Sequence, residues 1–277
     1  MDLLDKRCLV TGCSSGIGRA TVLALAEQHV HVVATARDVG DIAELRGPLV
    51  EVLSLDVTDR AAVDAAVAAA GDIDVVVNNA GYGLEGAVEE VDDDELFAQY
   101  DVNVFGLWRV CRAVLPGMRA RGGGAIVNVS SFAGQVPFPN IGAYRSSKFA
   151  VEGISWTLHL ELRRFGIRVI DIQPGLVNSN FGLSLRAARG MSDEGPYAEL
   201  REQVAPVYDR MSPPPGVSPE EVADAIVNAL RSEDGPLRVP VGEDAARMIA
   251  AIEAGDAAFE NYLETDLGFR WRDQTSG

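Results

Sequence analysis

Basic charge is scarce in this chain: 24 lysines and arginines stand against 41 aspartates and glutamates, for a formal net charge of -17. Acid-rich runs such as Glu89 to Glu95 (EEVDDDE) contribute to an overall field that opposes nucleic acid and anionic membrane, so neither is an expected partner. Any anionic ligand therefore needs a local site. Cysteine is scarce as well. Cys8, Cys13 and Cys111 stand apart with no C-x-x-C spacing, which excludes a disulfide framework and a zinc site and fits a reducing cytoplasm. The three histidines, His29, His31 and His159, fall outside every motif below and read as structural or surface residues, so no metal is expected. No unbroken apolar run reaches the roughly 18 residues of a membrane span, and the opening MDLLDKRCLVTG lacks the apolar core of a signal peptide. The expectation is an untargeted cytoplasmic protein.

What is present is ample apolar material, 47% of 277 residues, in a regular alternation. Seven short β-branched runs read as strands: Arg7 to Thr11, His31 to Ala36, Val50 to Leu55, Asp74 to Asn78, Ala125 to Ser130, Arg168 to Gln173 and Leu237 to Val241. Runs apolar at nearly every position suit parallel strands covered on both faces, and helices between them imply right-handed β-α-β crossovers. The fold class is α/β, a doubly wound parallel seven-stranded sheet flanked by helices. Thr58 or Asp59 is the expected N-cap of an alanine-rich helix that stops at Gly71. A longer helix is expected from near Asp93 towards Arg121, ended or kinked by Pro116, with Leu96, Tyr100, Val104, Leu107 and Cys111 as its sheet-facing stripe.

Residues 176 to 217, rich in Gly, Ser, Arg and Pro, interrupt the alternation and read as a substrate lid with a helical piece. Ser218, Pro219, Glu220 and Glu221 announce the next helix. One catalytic domain is expected over 1–277, with a core at 6–242 and a C-terminal helix and tail at 243–277.

Directly after the first strand comes TGCSSGIGRA, Thr11 to Ala20. Glycines there permit a tight turn and close backbone approach, while the following helix N-terminus offers free N–H groups and a positive dipole end to a pyrophosphate. The plainer alternative is a tight turn with no ligand. Gly12, Gly16 and Gly18 are spaced G-x-x-x-G-x-G, not G-x-G-x-x-G.

That loop resembles the cofactor loop of the short-chain dehydrogenase/reductase family. Further matches follow in order: NNAG (Asn78 to Gly81), NVFG (Asn103 to Gly106), VNVSS (Val127 to Ser131), YRSSK (Tyr144 to Lys148) and PG (Pro174, Gly175). The resemblance implies a Rossmann-type fold of the simple branch and a nicotinamide cofactor.

Tyr144 and Lys148 are four residues apart, hence neighbours on one helical face. Reducing a ketone by hydride leaves an alkoxide that must be protonated. A free phenol, with a pKa of about 10, is a plausible acid for that proton, and a nearby cation makes it a better base in reverse. Lys148 is the expected cation. The resemblance implies a second duty for Lys148 on the nicotinamide ribose. It places Ser131 as donor to the substrate oxygen, with Ser130 as its rival, and Asn103 as holder of a water linking Lys148 to solvent. It also implies cofactor contacts at Gly12, Ser14, Ser15, Gly16, Ile17 and Gly18 for phosphates and ribose. Asp56 and Val57 would hold the adenine, and Asn79, Ala80 and Gly81 the adenosine side. Pro174, Gly175, Val177 and Ser179 would serve the nicotinamide. Two departures are serine at 179 where threonine is frequent, and Ser147 where alanine is usual.

The second strand ends at Ala36 rather than an acid, and Arg37 follows. An acid there would accept from both ribose hydroxyls and repel a 2'-phosphate, whereas a guanidinium grips one. The expectation is NADP(H), with NAD(H) possible. The expected activity interconverts a ketone and a secondary alcohol on an apolar substrate, bounded by Phe132, Val136, Phe138, Ile141, Phe181 and Leu183. Alternatives are a nucleotide-sensing regulatory protein on the same fold, or an NAD-dependent enzyme like hydroxysteroid and retinol dehydrogenases. A homodimer or homotetramer is expected by resemblance.

Overall fold

The computed structural model describes residues 1–178, 185–211 and 216–270. Its central sheet contains β1 (Arg7–Val10), β2 (His31–Ala36), β3 (Val50–Ser54), β4 (Val75–Asn78), β6 (Gly124–Val129), β7 (Ile167–Pro174) and β9 (Arg238–Val241). The strand order is β3-β2-β1-β4-β6-β7-β9 and every pairing is parallel. This is the seven-stranded doubly wound sheet expected from the apolar runs. Its order reverses between β1 and β4, and in open α/β sheets ligands bind beyond the strand C-termini at such a switch point.

Both faces are covered, which is why the strands are apolar at nearly every position. Helix α1 (Gly16–Glu27) packs on one face, where Val22 and Leu25 join Val10, Val32 and Ile172 in a continuous core. On the other face lie α2 (Arg60–Ala70), α4 (Leu107–Arg121) and α5 (Gly142–Leu162), burying Val63, Val110, Val114 and Val151 against Leu9, Val33 and Ile126. Asp59 is the N-cap of α2, accepting from the backbone of Ala61 and Ala62, and Gly71 closes the helix at φ +72°.

The helix expected from Asp93 to Arg121 is three pieces. Helix α3 (Asp93–Tyr100) passes through a π-helical turn, Asp101–Gly106, into α4. Pro116 sits inside α4, on its exposed side, without ending it. The irregularity lies at Asn103 instead, and π turns of this kind often mark functional positions.

Within the expected lid, β8 (Leu185–Ala187) pairs in parallel with β5 (Gly83–Glu85), and α6 (Ala198–Met211) supplies the helical piece. Helix α7 (Pro219–Arg231) starts with the capping box written in its sequence: Ser218 Oγ accepts from Glu221 N at 3.1 Å, and Ser218 N donates to Glu221 Oε2 at 2.7 Å. The single C-terminal helix expected after Gly242 is two, α8 (Glu243–Glu253) and α9 (Asp256–Thr265), because Gly255 takes φ +106° between them. Among the described residues no helix is long and apolar enough to cross a membrane, and no His, Cys, Asp and Glu gather as metal ligands.

Candidate active site

A cavity of about 990 Å³ opens at the C-terminal edge of the sheet, beside the switch point. Its floor begins with the glycine loop. Thr11 N donates to Val77 O at 3.0 Å, and Thr11 Oγ1 accepts from Asn79 N and Ala80 N, each at 3.0 Å. Asn79 Nδ2 returns bonds of 2.9 Å to the carbonyls of Thr11 and Gly12. These bonds stitch the turn after β1 to the end of β4. Gly12 takes φ +72°, and a Cβ there would crowd Ala80. Gly18 does not line the cavity; a Cβ on it would collide with the Gly12 carbonyl and the Asn79 amide, so its contribution is close packing of helix on turn.

Ser15 is the N-cap of α1 in geometry, yet its side chain caps nothing. The first N–H groups of α1 are therefore unspent by the cap and stand at the cavity wall formed by Ser14, Ser15, Gly16 and Ile17. This cradle fits a pyrophosphate. Farther along the wall lie Arg37, Asp56, Val57, Asn79, Ala80 and Gly81, and at the other end Pro174, Gly175 and Val177. Asp244 Oδ2 accepts from Leu176 N at 2.7 Å, and only glycine at 175 leaves room for that carboxylate. Ser179, Phe181 and Leu183 lie outside the described residues.

Helix α5 turns Tyr144 and Lys148 into the same cavity, with Lys148 Nζ 5.8 Å from the Tyr144 ring centroid. Ser131 caps the 3-10 turn after β6, accepting from Ala133 N at 3.1 Å, and it hydrogen-bonds the Tyr144 phenol. Ser130 points elsewhere, donating to Glu152 Oε1 at 2.8 Å. Burial pushes the Tyr144 pKa up to about 12 against the lowering effects of Ser131 and the Arg145 guanidinium.

Lys148 sends its ammonium to Val129 O at 2.9 Å, and Arg145 brings a second positive charge to bear on Tyr144. Burial drives the Lys148 pKa down to about 8, although Asp171 and Glu152 draw it upward. Glu152 is pinned by Ser130, by Gln173 Nε2 at 2.8 Å and by Arg238 Nε at 2.9 Å.

Asn103 stands apart from the main cavity. Its Oδ1 accepts from Tyr82 N at 3.1 Å, and its Nδ2 donates to Tyr82 O at 3.0 Å and Ser147 Oγ at 3.1 Å. The side chain thus holds the loop carrying Tyr82. A void of about 10 Å³ lies between Asn103 and Lys148, also lined by Thr11 and Asn78. It is near the smallest space that admits one water.

Several wall residues carried no motif signal: Asp41 and Thr58 near Arg37, and Tyr82, Glu85, Arg145, Arg186, Val204 and Tyr208 on the other side. Two of the expected apolar walls are displaced. Val136 and Phe138 lie in a separate core with Val207, Met211 and Met248, where they fasten α6 and α8, whereas Phe132 and Ile141 do reach the cavity.

Residues 6–190 match the family model described as short chain dehydrogenase. A 3-ketodihydrosphingosine reductase of Bacteroides thetaiotaomicron is 35% identical over 235 residues, covering 84% of this chain and 87% of that protein. A short-chain dehydrogenase from Streptomyces avermitilis superposes with a TM-score of 0.81 at 36% identity, over 96% of this chain and all of that one. One from Burkholderia cenocepacia, solved with NADP, gives a TM-score of 0.76 at 28% identity over 98% of this chain and all of that one. Match, fold and cavity agree, and the chain belongs to the short-chain dehydrogenase/reductase family of oxidoreductases acting on CH–OH and C=O groups.

Proposed function

We propose that the protein is an NADP(H)-dependent reductase of ketones, with Tyr144 as the proton donor. The observation that carries this reading is the convergence of Tyr144, Ser131 and Lys148 on one cavity with the glycine-loop cradle. The nicotinamide supplies hydride when bound. Ser131 and the Tyr144 hydroxyl meet the substrate oxygen, where negative charge develops, and Tyr144 releases its proton there. With its pKa raised by burial, the phenol is protonated across the working range and has a proton to give. Lys148 keeps a positive charge beneath the site. Asn103 acts through the Tyr82 loop and the small void rather than on substrate. A nucleotide sensor on the same fold has no need of the tyrosine, serine and lysine together.

A pH prediction follows from Lys148. Its ammonium form is present below a pKa of about 8 and lost above it, so kcat/KM for reduction should hold at neutral pH and decline through about pH 8. A profile flat to pH 10 would show that this charge does not matter.

For the cofactor, Arg37 lines the cavity beside Ser14 and Ser15, and Asp38 does not occupy it: Asp38 Oδ1 accepts from Gly40 N at 2.8 Å. The Burkholderia cenocepacia relative holds NADP and a 3-ketoacyl-(acyl-carrier-protein) reductase from Brucella melitensis holds NADH, so the choice rests on Arg37. Asp41, on the same wall, works against a 2'-phosphate and favours the alternative, NAD(H). Hydrogen bonds to a charged partner contribute about 1.5 to 3 kcal/mol, so Arg37→Ala should cut the NADP(H) preference by about ten- to a hundredfold. Equal or better kcat/KM with NAD(H) in the unaltered protein would place Arg37 in solvent and favour Asp41.

The protein is also read as a homo-oligomer. Phe97, Phe105 and Trp108, near the α3–α4 junction, and Phe149, Trp156 and Leu160 on α5 are exposed large apolar residues, with Phe97 65% and Trp108 51% accessible. Light scattering should give a dimer or tetramer mass; a monomer at working concentration would contradict this.

A further inference from the structure

The substrate end of the cavity holds a buried cation that the proton-transfer chemistry does not require. Arg145 follows Tyr144 on α5 and is only 4% exposed, yet it lines the cavity. Its guanidinium lies 5.2 Å from the ring centroids of both Phe132 and Phe138 and donates through one terminal nitrogen to Val136 O. The Tyr208 hydroxyl shares a hydrogen bond with it. Two aromatic faces and a carbonyl hold the group in place but do not neutralise it. Its Nε has no hydrogen-bond partner, and among the described residues no carboxylate forms an ion pair with it.

An arginine cannot shed its proton, so burial without a counter-charge is costly, and a guanidinium on a cavity wall suits a planar anion. Arg145 and Tyr144 line the same cavity, so an anion on the guanidinium shares the space in front of the tyrosine. Phe132, Ile141, Leu176, Leu185 and Val204 give the substrate wall its apolar part. Glu85 is the acid on this side, and its Oε1 is engaged by Asn140 Nδ2 at 2.9 Å. Arg186, stacked 4.4 Å from the Tyr82 ring centroid, adds a second, exposed cation.

We propose that Arg145 and Tyr208 form a carboxylate-binding corner, and that the substrate is an oxo acid with an apolar body, its carboxylate seated on Arg145 while its carbonyl meets Tyr144 and Ser131. This rests on the reductase reading above and narrows its substrate class. Arg145 and Tyr208 are specificity-determining residues in it, not proton donors.

The test compares 2-oxo, 4-oxo and 5-oxo alkanoates of about eight carbons with their methyl esters, measuring kcat/KM with NADPH. At least one acid should exceed its ester by about tenfold or more. Arg145→Met should lower kcat/KM for that acid about ten- to a hundredfold more than for its ester, because any effect of the lost charge on Tyr144 falls on both substrates alike. Arg145→Lys should restore part of it, and Tyr208→Phe should lower the acid selectively to a smaller extent. Because Arg145→Met removes a buried group and can fail to fold, Tyr208→Phe, which keeps the ring, carries the comparison alone if needed. Esters reduced as well as acids, or acid and ester losses that are equal in the variants, would overturn the carboxylate corner; ester reduction abolished by Tyr144→Phe would leave the reductase reading standing. If neither class is reduced, calorimetric binding to the NADPH-loaded protein decides separately: tighter acid than ester, weakened by Tyr208→Phe, upholds the corner, and no difference overturns it.

Discussion

Tyr144→Phe is expected to leave the fold and cofactor affinity intact while lowering kcat by about a hundred- to ten-thousandfold, the usual contribution of a positioned general acid. The substitution removes one oxygen and keeps the ring that faces the Lys148 ammonium at 5.8 Å. Ser131 loses a hydrogen-bond partner but keeps its role as cap of the 3-10 turn, so the local backbone has no reason to move. The measurement is steady-state reduction of a ketone beside fluorescence titration of NADPH. Retention of more than a tenth of the wild-type rate would remove Tyr144 as the acid.

Lys148→Ala is expected to damage both binding and rate. The ammonium is 8% exposed and bonded to Val129 O, and Asp171 and Glu152 lie near enough to act on it. Losing it strips a positive charge from beneath the tyrosine. It also deletes the group that the family resemblance assigns to the nicotinamide ribose. A loss of about ten- to a hundredfold in NADPH affinity corresponds to one charged hydrogen bond, and kcat should fall by about a hundredfold or more in addition. Removing the cation near buried Asp171 should also cost stability, whereas Glu152 keeps Arg238. A variant with a lower Tm but unaltered kcat and NADPH affinity would make Lys148 a structural residue alone.

The sheet was legible because burial on both faces forces its strands to be apolar throughout, and because Asp59, Gly71 and Ser218 write helix ends in side-chain chemistry. The glycine loop was equally legible, since glycines at 12 and 18 are demanded by contacts no other residue permits. Legibility failed where structure depends on packing alone. The three-residue strands β5 and β8 carry no periodicity, and the π turn at Asp101–Gly106 lies inside a run with helical spacing that does not announce it. The apolar residues after Ser131 could equally wall a pocket or fasten a helix. Phe138 does the latter, 5.2 Å from the Tyr208 ring centroid, and that packing helps bring the phenol to Arg145. Arg145 itself follows the tyrosine in a motif whose intervening positions appeared free, and only its burial distinguishes it from a surface arginine.

The central claim, that this cavity passes hydride to a carbonyl and a proton from Tyr144, is tested most directly by deuterium transfer. The protein is incubated with NADPH deuterated on the transferable face of C4 and a mixed panel of ketones and oxo acids, and the products are analysed by mass spectrometry. An alcohol carrying one deuterium on the carbinol carbon is expected with the unaltered protein, and its near absence with Tyr144→Phe at equal NADPH occupancy. Tight NADPH binding with no deuterium in any product would contradict the account and leave the nucleotide-sensing alternative in its place.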